Sequence, residues 1–501
     1  MFLFSGSHNE RRKKNMSTPQ EAAWSELLEA VARGLRVRTD SRKVLPGEVF
    51  VALPGSKVDG TDFIRAALER GAKYIVTQRD GQWTRGLDAA LLVRPDAAEA
   101  LGELARAHFH ADGQHLKLVA ITGTNGKTTT AFIIEHLLAA VGLKAGLMGT
   151  VAYRWPGFSL DATLTTPDCW TLHELISNMA RSDVDAVVME ASSHAIEQRR
   201  VAGLHFDVAV LTNVTQDHLD YHGDMESYFN AKAELFRARP KTDKTWVLNH
   251  DDPYGRRLLA EAPQALSYGL SEAPEGCNAL RGEILTSSSA GLTLRMHHQG
   301  STWEMSSPLI GRHNAQNLLA AQAVGLCLGL SQRDLRKLED FAGVPGRLER
   351  VPNEHGLDIF VDYAHTPDAL VNVLGALREL TRGRLLTLFG CGGNRDKTKR
   401  PLMAEAVAKY ADVGVLTSDN PRHEDPLDII TDARPGLADC RLSIEEPDRY
   451  AAIVRAVGLM EPGDVLLVAG KGHENYQQIG DEKLPFSDVE AVGRALREVL
   501  G

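Results

Sequence analysis

The stretch Leu116-Lys117-Leu118-Val119-Ala120-Ile121-Thr122-Gly123-Thr124-Asn125-Gly126-Lys127-Thr128-Thr129 decides the fold. Its first seven residues form a near-continuous apolar run of strand length, as in a parallel-sheet strand buried on both faces. Two glycines follow, and then Ile133, Ile134, Leu137, Leu138 and Val141 recur at helical spacing. Strand, glycine turn, Lys-Thr and helix together make a phosphate loop. The backbone of Gly123, Thr124, Asn125, Gly126, Lys127, Thr128 and Thr129 can turn its N–H groups toward a phosphate at the positive end of the helix. Lys127 would reach the β- and γ-phosphates, and the Thr128 hydroxyl would ligate Mg²⁺. A bland strand–helix turn explains these features less well than a phosphate site does. The usual loop spacing would place a glycine at position 121, where Ile121 stands. This shortened loop fits ordinary kinases and GTPases poorly.

Outward from this loop, strands alternate with helices as in α/β proteins with parallel sheets. Val184 to Met189, Phe206 to Thr212 and Thr245 to Asn249 share the buried-strand character. A turn-rich stretch from about Ser267 to Ser307 suggests small antiparallel strands. Leu318 to Leu330 reads as a buried helix. After Pro345-Gly346-Arg347 the alternation restarts with Leu357 to Val361, Leu385 to Phe389, Val413 to Thr417 and Val465 to Ala469. Towards the N-terminus, from about Trp24 to Arg106, a shorter α/β pattern has a turn at Thr39 to Arg42, strands at Val49 to Leu53 and Tyr74 to Thr77, and a helix through Phe63 to Arg70. Residues 111–115 read as a linker. Polar, glycine-containing stretches follow the strands of the later domains, at the carboxyl ends where open parallel sheets bind ligands.

Composition bounds the rest. A chain of 501 residues exceeds one hydrophobic core, so two to four domains are expected. A net charge of -10 argues against a general nucleic-acid binder. Five scattered cysteines, with no CxxC pair, read as reduced thiols in a cytoplasm. No segment is long and apolar enough for a membrane span. The first residues, MFLFSGSHNERRKKN, put the basic run after a very short apolar patch, the reverse of a secretory signal. Residues 1–15 read as a disordered extension, with Met16 the expected natural start.

Three more segments carry candidate chemistry. Met189-Glu190-Ala191-Ser192-Ser193-His194 follows a buried strand, where Glu190 suits a second Mg²⁺ ligand rather than a capping carboxylate. Thr212 to His222 is dense in metal-capable and hydrogen-bonding groups, a pattern that polar loops also show. Tyr228-Phe229-Asn230-Ala231-Lys232 places a lysine inside a largely apolar helical pattern. On its own that lysine reads as one that snorkels to solvent.

The loop Thr122–Thr129, MEASSHA, TNVTQDHLDYHGDMESY, NAK and VDYAHTPDAL, taken in order from about Met16 onward, resemble the Mur ligase family. The resemblance implies three domains: a UDP-binding domain over 16–112, a central P-loop-type ATPase domain with a parallel sheet over 113–345, and a Rossmann-like, amino-acid-binding domain over 346–501. It implies a cytoplasmic, monomeric, ATP-dependent ligase of cell-wall (peptidoglycan) synthesis, without nucleic-acid or membrane partners. Lys127, Glu190, His218 and Lys232 match catalytic positions. With Thr128, the last three match Mg²⁺ positions, and the lysine is implied to be carbamylated by CO2. For ATP, Asn317, Arg347 and Asp362 match contacting positions beside the loop. Thr39, Ser41, Ser56, Lys57, Val58, Thr165, Thr166, Ser192, Gln198 and Arg200 match positions holding a UDP-N-acetylmuramoyl dipeptide. Arg200 suits a carboxylate or pyrophosphate because its planar fork bonds bidentately.

The choice of amino acid is expected in Asp419-Asn420-Pro421-Arg422, with Arg395, Gly470 and Glu474 as further contacts. Within the family this signature implies meso-diaminopimelate. Diaminopimelate carries a second carboxylate at its far end, where lysine has only an ammonium, and Arg422 supplies a cation for it. Asn394 stands where some members have Asp, a change not expected to alter the choice. The implied reaction adds meso-diaminopimelate to UDP-N-acetylmuramoyl-L-alanyl-D-glutamate through an acyl phosphate, releasing ADP and phosphate. The rivals are the lysine-adding ligase, folylpolyglutamate synthase and an ATP-driven switch protein.

Overall fold

The structure is a computed structural model that describes residues 19–55, 58–110, 116–237 and 245–501. Ser56 and Lys57, the linker at 111–115, and the extension with its expected start at Met16 lie outside the described residues. The chain folds into two compact units.

One unit gathers the chain up to Leu116 with two segments from further along, Thr166–Asp183 and His194–His205. Its sheet is wholly parallel, in the order β1 (Val37–Arg38), β2 (Val49–Val51), β3 (Tyr74–Thr77), β4 (Ala90–Val93). One apolar cluster joins Val49, Val51 and Val76 to Trp24 and Leu27 of the helix Pro19–Ala32 and to Leu101 and Leu104 of the helix Ala97–Phe109. Phe50 and Ile75 alternate to the opposite face and meet Ile64 and Ala67, as the two-residue period of a strand requires. Asp96 starts the helix Ala97–Phe109 by accepting from the N–H groups of Ala98 and Glu99. Neither that helix nor β4 stands out in the sequence, because Ala-rich and short mixed segments carry little periodicity.

The other unit holds two large sheets and a small two-stranded one. The larger has eleven strands, in the order β15-β14-β13-β12-β11-β10-β5-β9-β6-β7-β8. In chain order these are β5 (Lys117–Thr122), β6 (Ala145–Met148), β7 (Ala152–Trp155), β8 (Phe158–Asp161), β9 (Ala186–Glu190), β10 (Val208–Leu211), β11 (Thr245–Asn249), β12 (Leu266–Gly269), β13 (Asn278–Ser288), β14 (Gly291–His298) and β15 (Ser301–Ser307). The run from β6 to β13 is parallel, whereas β7, β8, β14 and β15 add antiparallel margins. The turn-rich stretch near Ser267–Ser307 is thus an extension of the main sheet. The helices Lys127–Ala140 and Arg312–Cys327 pack Ile134, Leu137, Leu318 and Val324 on one face of it.

The second large sheet runs β16-β17-β21-β18-β19-β20, with β16 (Glu349–Arg350), β17 (Asp358–Asp362), β18 (Leu385–Cys391), β19 (Val413–Ser418), β20 (Leu442–Glu445) and β21 (Val465–Ala469). All pairs but β16–β17 are parallel. Apolar clusters cover both faces, one with Leu370, Leu374 and Val407 and the other with Ile453, Val492 and Leu496. That explains the near-continuous apolar strands in the sequence. A hairpin, β22 (Tyr476–Ile479) and β23 (Glu482–Pro485), follows the last strand.

Candidate active site

β5 ends at Thr122 and the helix Lys127–Ala140 begins at Lys127, so the four residues Gly123 to Gly126 form the loop. Gly126 has φ +84°, and a Cβ there would stand 2.4 Å from Asn317 Oδ1. Backbone sign and close approach both require glycine at this position. Asn317 is buried, accepts from Thr130 Oγ1 at 3.3 Å and donates to Asn314 Oδ1 at 3.0 Å, so it supports the loop from beneath. The polar stretch after β10 braces the loop's rim. Thr124 N donates to Asn213 O at 2.8 Å, Asn125 N to Asn213 Oδ1 at 2.9 Å, and Thr212 Oγ1 to Asn125 O at 2.6 Å. The β5–β10 register, Leu211 opposite Thr122, brings these residues together. Thr212 and Asn213 lie in the hydrogen-bonding stretch flagged in the sequence, but their role as braces of the loop is visible only in the fold.

Two lysines meet at this loop. Lys127 Nζ donates to Gly123 O and Thr124 O, both at 2.9 Å. Lys232, 1% exposed on the helix Met225–Arg237, donates to the same Gly123 O at 2.9 Å, with its ammonium 4.3 Å from the Tyr228 ring centre. The snorkelling reading of Lys232 is therefore wrong: the helix face carrying Tyr228, Ala231 and Leu235 is buried, and the lysine goes in with it. Burial pushes the Lys232 amine well below its ordinary pKa, and the neighbouring Lys127 charge adds to the effect. Burial lowers Lys127 too.

Glu190, 1% exposed, closes β9. Its carboxylate accepts from Thr128 Oγ1 at 3.0 Å, Thr150 N at 2.8 Å and Thr150 Oγ1 at 3.2 Å. His218 sits in left-handed backbone at φ +52°, 3.4 Å from Asp217, and burial lowers its pKa ahead of the Lys127 and Lys232 charges. It therefore offers a neutral imidazole at neutral pH. No group of three or more His, Cys, Asp or Glu side chains that could hold a metal occurs among the described residues. Thr128 and Glu190, with their oxygens 3.0 Å apart, fit Mg²⁺, which takes oxygen ligands, keeps waters and shares substrate phosphates.

Asp362 ends β17 and accepts from Leu348 N at 2.6 Å and Ala364 N at 2.7 Å. Its burial raises the carboxyl pKa against the pull of Arg347. The Arg347 guanidinium lies 4.7 Å from the Tyr363 ring centre, and its Nε is buried without a hydrogen-bond partner among the described residues. The Arg347 charge also lowers Lys127, so its field reaches the phosphate loop.

A second constellation gathers at the carboxyl ends of β18, β19 and β21. Arg422 has φ +52°, and its Nη1 donates to Gly393 O at 2.8 Å. Its backbone is clasped by the hairpin, Arg422 N donating to Gln478 O at 3.1 Å and Gly480 N to Arg422 O at 2.6 Å. Gly393 is needed for proximity, since a Cβ there would stand 1.8 Å from Pro421 O. Buried Arg400 pairs with Glu424 at 2.9 Å and Asp432 at 2.7 Å, and Glu424 accepts from Asn394 N. This network ties the exposed Arg395 loop to the Arg422 loop. Asp419 and Asn420 are buried beside Glu474, and Asn420 Nδ2 donates to Glu474 Oε2 at 2.9 Å. Lys471 stands among them and is absent from the sequence-derived candidates. Its only signal is a lysine between two glycines directly after a buried strand.

The remaining candidates divide between the units. In the eleven-stranded unit, Thr165 Oγ1 meets Thr150 Oγ1 at 3.1 Å, and Ser192 follows Glu190 in the loop after β9. In the unit with the four-stranded sheet, Arg200 donates to Gln198 Oε1 at 2.7 Å and to Thr166 O at 3.0 Å. There Thr39 and Ser41 follow β1, where Asp40 caps the turn Ser41–Lys43 and pairs with Arg42, while Val58 is exposed.

A parallel-sheet phosphate loop lined by two lysines and a buried glutamate defines a nucleotide-dependent enzyme. The chain belongs to the Mur ligase family. Sequence models of that family match residues 36–109 (Mur ligase family, catalytic domain), 121–325 (Mur ligase middle domain) and 346–472 (Mur ligase, glutamate ligase domain). The UDP-N-acetylmuramoyl-L-alanyl-D-glutamate–2,6-diaminopimelate ligase of Lawsonia intracellularis is 51% identical over 96% of this chain and 99% of that protein. The protein of that name from Thermosynechococcus vestitus is 44% identical, with 93% of each covered. A solved structure of a ligase of that name superposes with a TM-score of 0.68 at 34% identity, covering 92% of this chain and 94% of that one.

Proposed function

We propose that this chain is the ATP-dependent ligase that joins meso-diaminopimelate to UDP-N-acetylmuramoyl-L-alanyl-D-glutamate in peptidoglycan synthesis. The observation that carries the choice of amino acid is the fixed cation of Arg422 on a loop that also presents Asp419, with Glu474 hydrogen-bonded to Asn420 of the same loop. That pattern is complementary to a terminus bearing both a carboxylate and an ammonium, whereas lysine would leave Arg422 unpaired. In this reading residues 16–112 bind the UDP moiety, 113–345 the ATP, and 346–501 the amino acid. The enzyme works as a monomer in the cytoplasm.

A carboxylate is a poor electrophile, so it is first phosphorylated. The D-glutamyl γ-carboxylate attacks the γ-phosphorus of ATP, the bond to the β-phosphate oxygen breaks, and ADP leaves. The free amine of diaminopimelate then attacks the acyl carbon, loses a proton, and phosphate departs. Lys127 exchanges the Gly123 and Thr124 carbonyls for phosphate oxygens and neutralises charge on the transferring group. Arg347 and Asn317 fix the nucleotide side of the site. Thr128, Glu190, His218 and a carbamate on Lys232 would hold Mg²⁺, which would supply further neutralisation of the phosphoryl group. Burial lowers the pKa of the Lys232 amine, which suits that carbamate: it favours the neutral, nucleophilic form that CO2 requires, and carbamylation would convert it into an anion.

The test is ADP release. Turnover is expected only with both the UDP-linked dipeptide and meso-diaminopimelate present. ATP hydrolysis at a similar rate without the amino acid would overturn the ligase reading in favour of a switch-type ATPase.

A further inference from the structure

Lys471 is fully buried, yet its ammonium is surrounded by the groups assigned to the amino acid. It donates to Asn420 Oδ1 at 3.1 Å and Glu474 Oε2 at 3.3 Å, and lies 3.7 Å from Asp419 Oδ1. Asn420 is fixed at both ends, with Oδ1 also accepting from Gln478 N at 2.8 Å and Nδ2 donating to Glu474 Oε2 at 2.9 Å. Asp419 Oδ1 is buried and has no hydrogen-bond partner among the described residues. The space beside it is open because residue 470 is glycine: a Cβ there would stand 3.7 Å from that oxygen. A buried acceptor without a donor is costly unless a ligand supplies one.

Charge completes the picture. Two carboxylates around one buried ammonium leave one net negative charge, enough for a single incoming cation. We propose that Lys471 is a positioning residue of the amino-acid subsite. Its ammonium locks the loops after β19 and β21 together and occupies one of the two cation places that Asp419 and Glu474 offer, leaving Asp419 Oδ1 to accept one ligand ammonium. The inference rests on the amino-acid site proposed above. It adds a residue that selects by charge balance, where Arg422 selects by direct pairing.

The test compares E474Q, K471M and the double variant K471M/E474Q, each checked by thermal melting, in steady-state assays with meso-diaminopimelate. E474Q brings the cluster to neutrality and is expected to raise the KM for meso-diaminopimelate at least tenfold, with the KM for ATP within twofold of wild type. In K471M/E474Q the single negative charge returns, and most of that loss is expected to be recovered. A merely structural Lys471 predicts the opposite, a double variant at least as impaired as E474Q. That result, with melting close to wild type, would overturn the proposal. Should K471M melt early, K471Q replaces it in the same cycle. R422A separates the two levels of inference. If neither R422A nor E474Q changes the meso-diaminopimelate KM, the amino-acid site itself is misassigned. If both raise it and the double variant recovers nothing, the Lys471 role alone falls.

Discussion

The ammonium groups of Lys127 and Lys232 share one acceptor: each Nζ lies 2.9 Å from the Gly123 carbonyl oxygen. Burial strips hydration from the Lys232 amine and the Lys127 charge repels it, so Lys232 is held well below its ordinary pKa. Its neutral amine therefore persists to lower pH than that of a surface lysine, and CO2 can add there. Activity is expected to fall reversibly in CO2-free buffer and return with bicarbonate. At limiting bicarbonate the rate should hold until pH drops below the lowered pKa, then decline as the amine protonates. K232R, which cannot form the carbamate, should lose roughly a hundredfold or more in kcat. A K232R enzyme of normal rate would refute the role given to this lysine.

The same shift has a stability consequence. Between the lowered pKa and the ordinary lysine value the unfolded chain binds more protons than the folded one, so stability rises with pH in that window. Urea midpoints measured across the alkaline range should climb in wild type and climb less in K232M.

Gly126 carries two constraints at once, φ +84° and Asn317 Oδ1 2.4 Å from the place a Cβ would take. G126A is expected to cost roughly 1–2 kcal/mol from the left-handed backbone alone, with a further loss as Asn317 is displaced. A fluorescent-nucleotide titration should show weakened ATP binding even where circular dichroism shows an intact fold. Unchanged affinity would mean that the loop tolerates another backbone path.

How much of this was legible in the sequence differs from residue to residue. The strand–loop–helix at 116–141 could be read because burial on both sheet faces demands an unbroken apolar run and the sharp turn demands glycine. Arg422 could be singled out as a candidate because its neighbours Asp419 to Pro421 form a contiguous signature. Lys471 could not: buried lysines are rare, and its partners Asp419 and Asn420 come from a loop some fifty positions earlier. Nor could the sequence show that Thr166–Asp183 and His194–His205 pack with the chain before Leu116. That grouping depends on long-range packing, with Cys169 and Ala202 in one apolar cluster with Leu101, which no local pattern encodes.

Arg449 and Asp488 form a fully buried pair, Nε to Oδ1 at 2.8 Å and Nη2 to Oδ2 at 2.7 Å. The same guanidinium donates to Ser418 O and Ala469 O, joining the ends of β19 and β21 just before the amino-acid loops. R449M strands Asp488 and is expected to cost about 3–5 kcal/mol in urea unfolding. R449M/D488L, with neither charge left, should cost less than R449M alone. A double variant less stable than the single would contradict this account, since removing the stranded Asp488 charge should relieve the cost of R449M.

Arg422 is held by Gly393 O and by the hairpin backbone, so its truncation should disturb binding more than folding. R422A is expected to lower kcat/KM for meso-diaminopimelate by about ten- to a hundredfold, the range for losing a charged hydrogen bond, with melting within a few degrees of wild type. An R422A enzyme unchanged towards meso-diaminopimelate would remove the basis for the choice of amino acid.

The most direct test of the whole account is a competition. The protein is incubated with ATP, Mg²⁺, bicarbonate, UDP-N-acetylmuramoyl-L-alanyl-D-glutamate and equal amounts of meso-diaminopimelate and L-lysine, and the UDP-linked product is weighed by mass spectrometry. The account predicts a product heavier by one diaminopimelate residue, formed one-for-one with ADP. A lysine adduct as the main product, or ADP released with no amide formed, would contradict it.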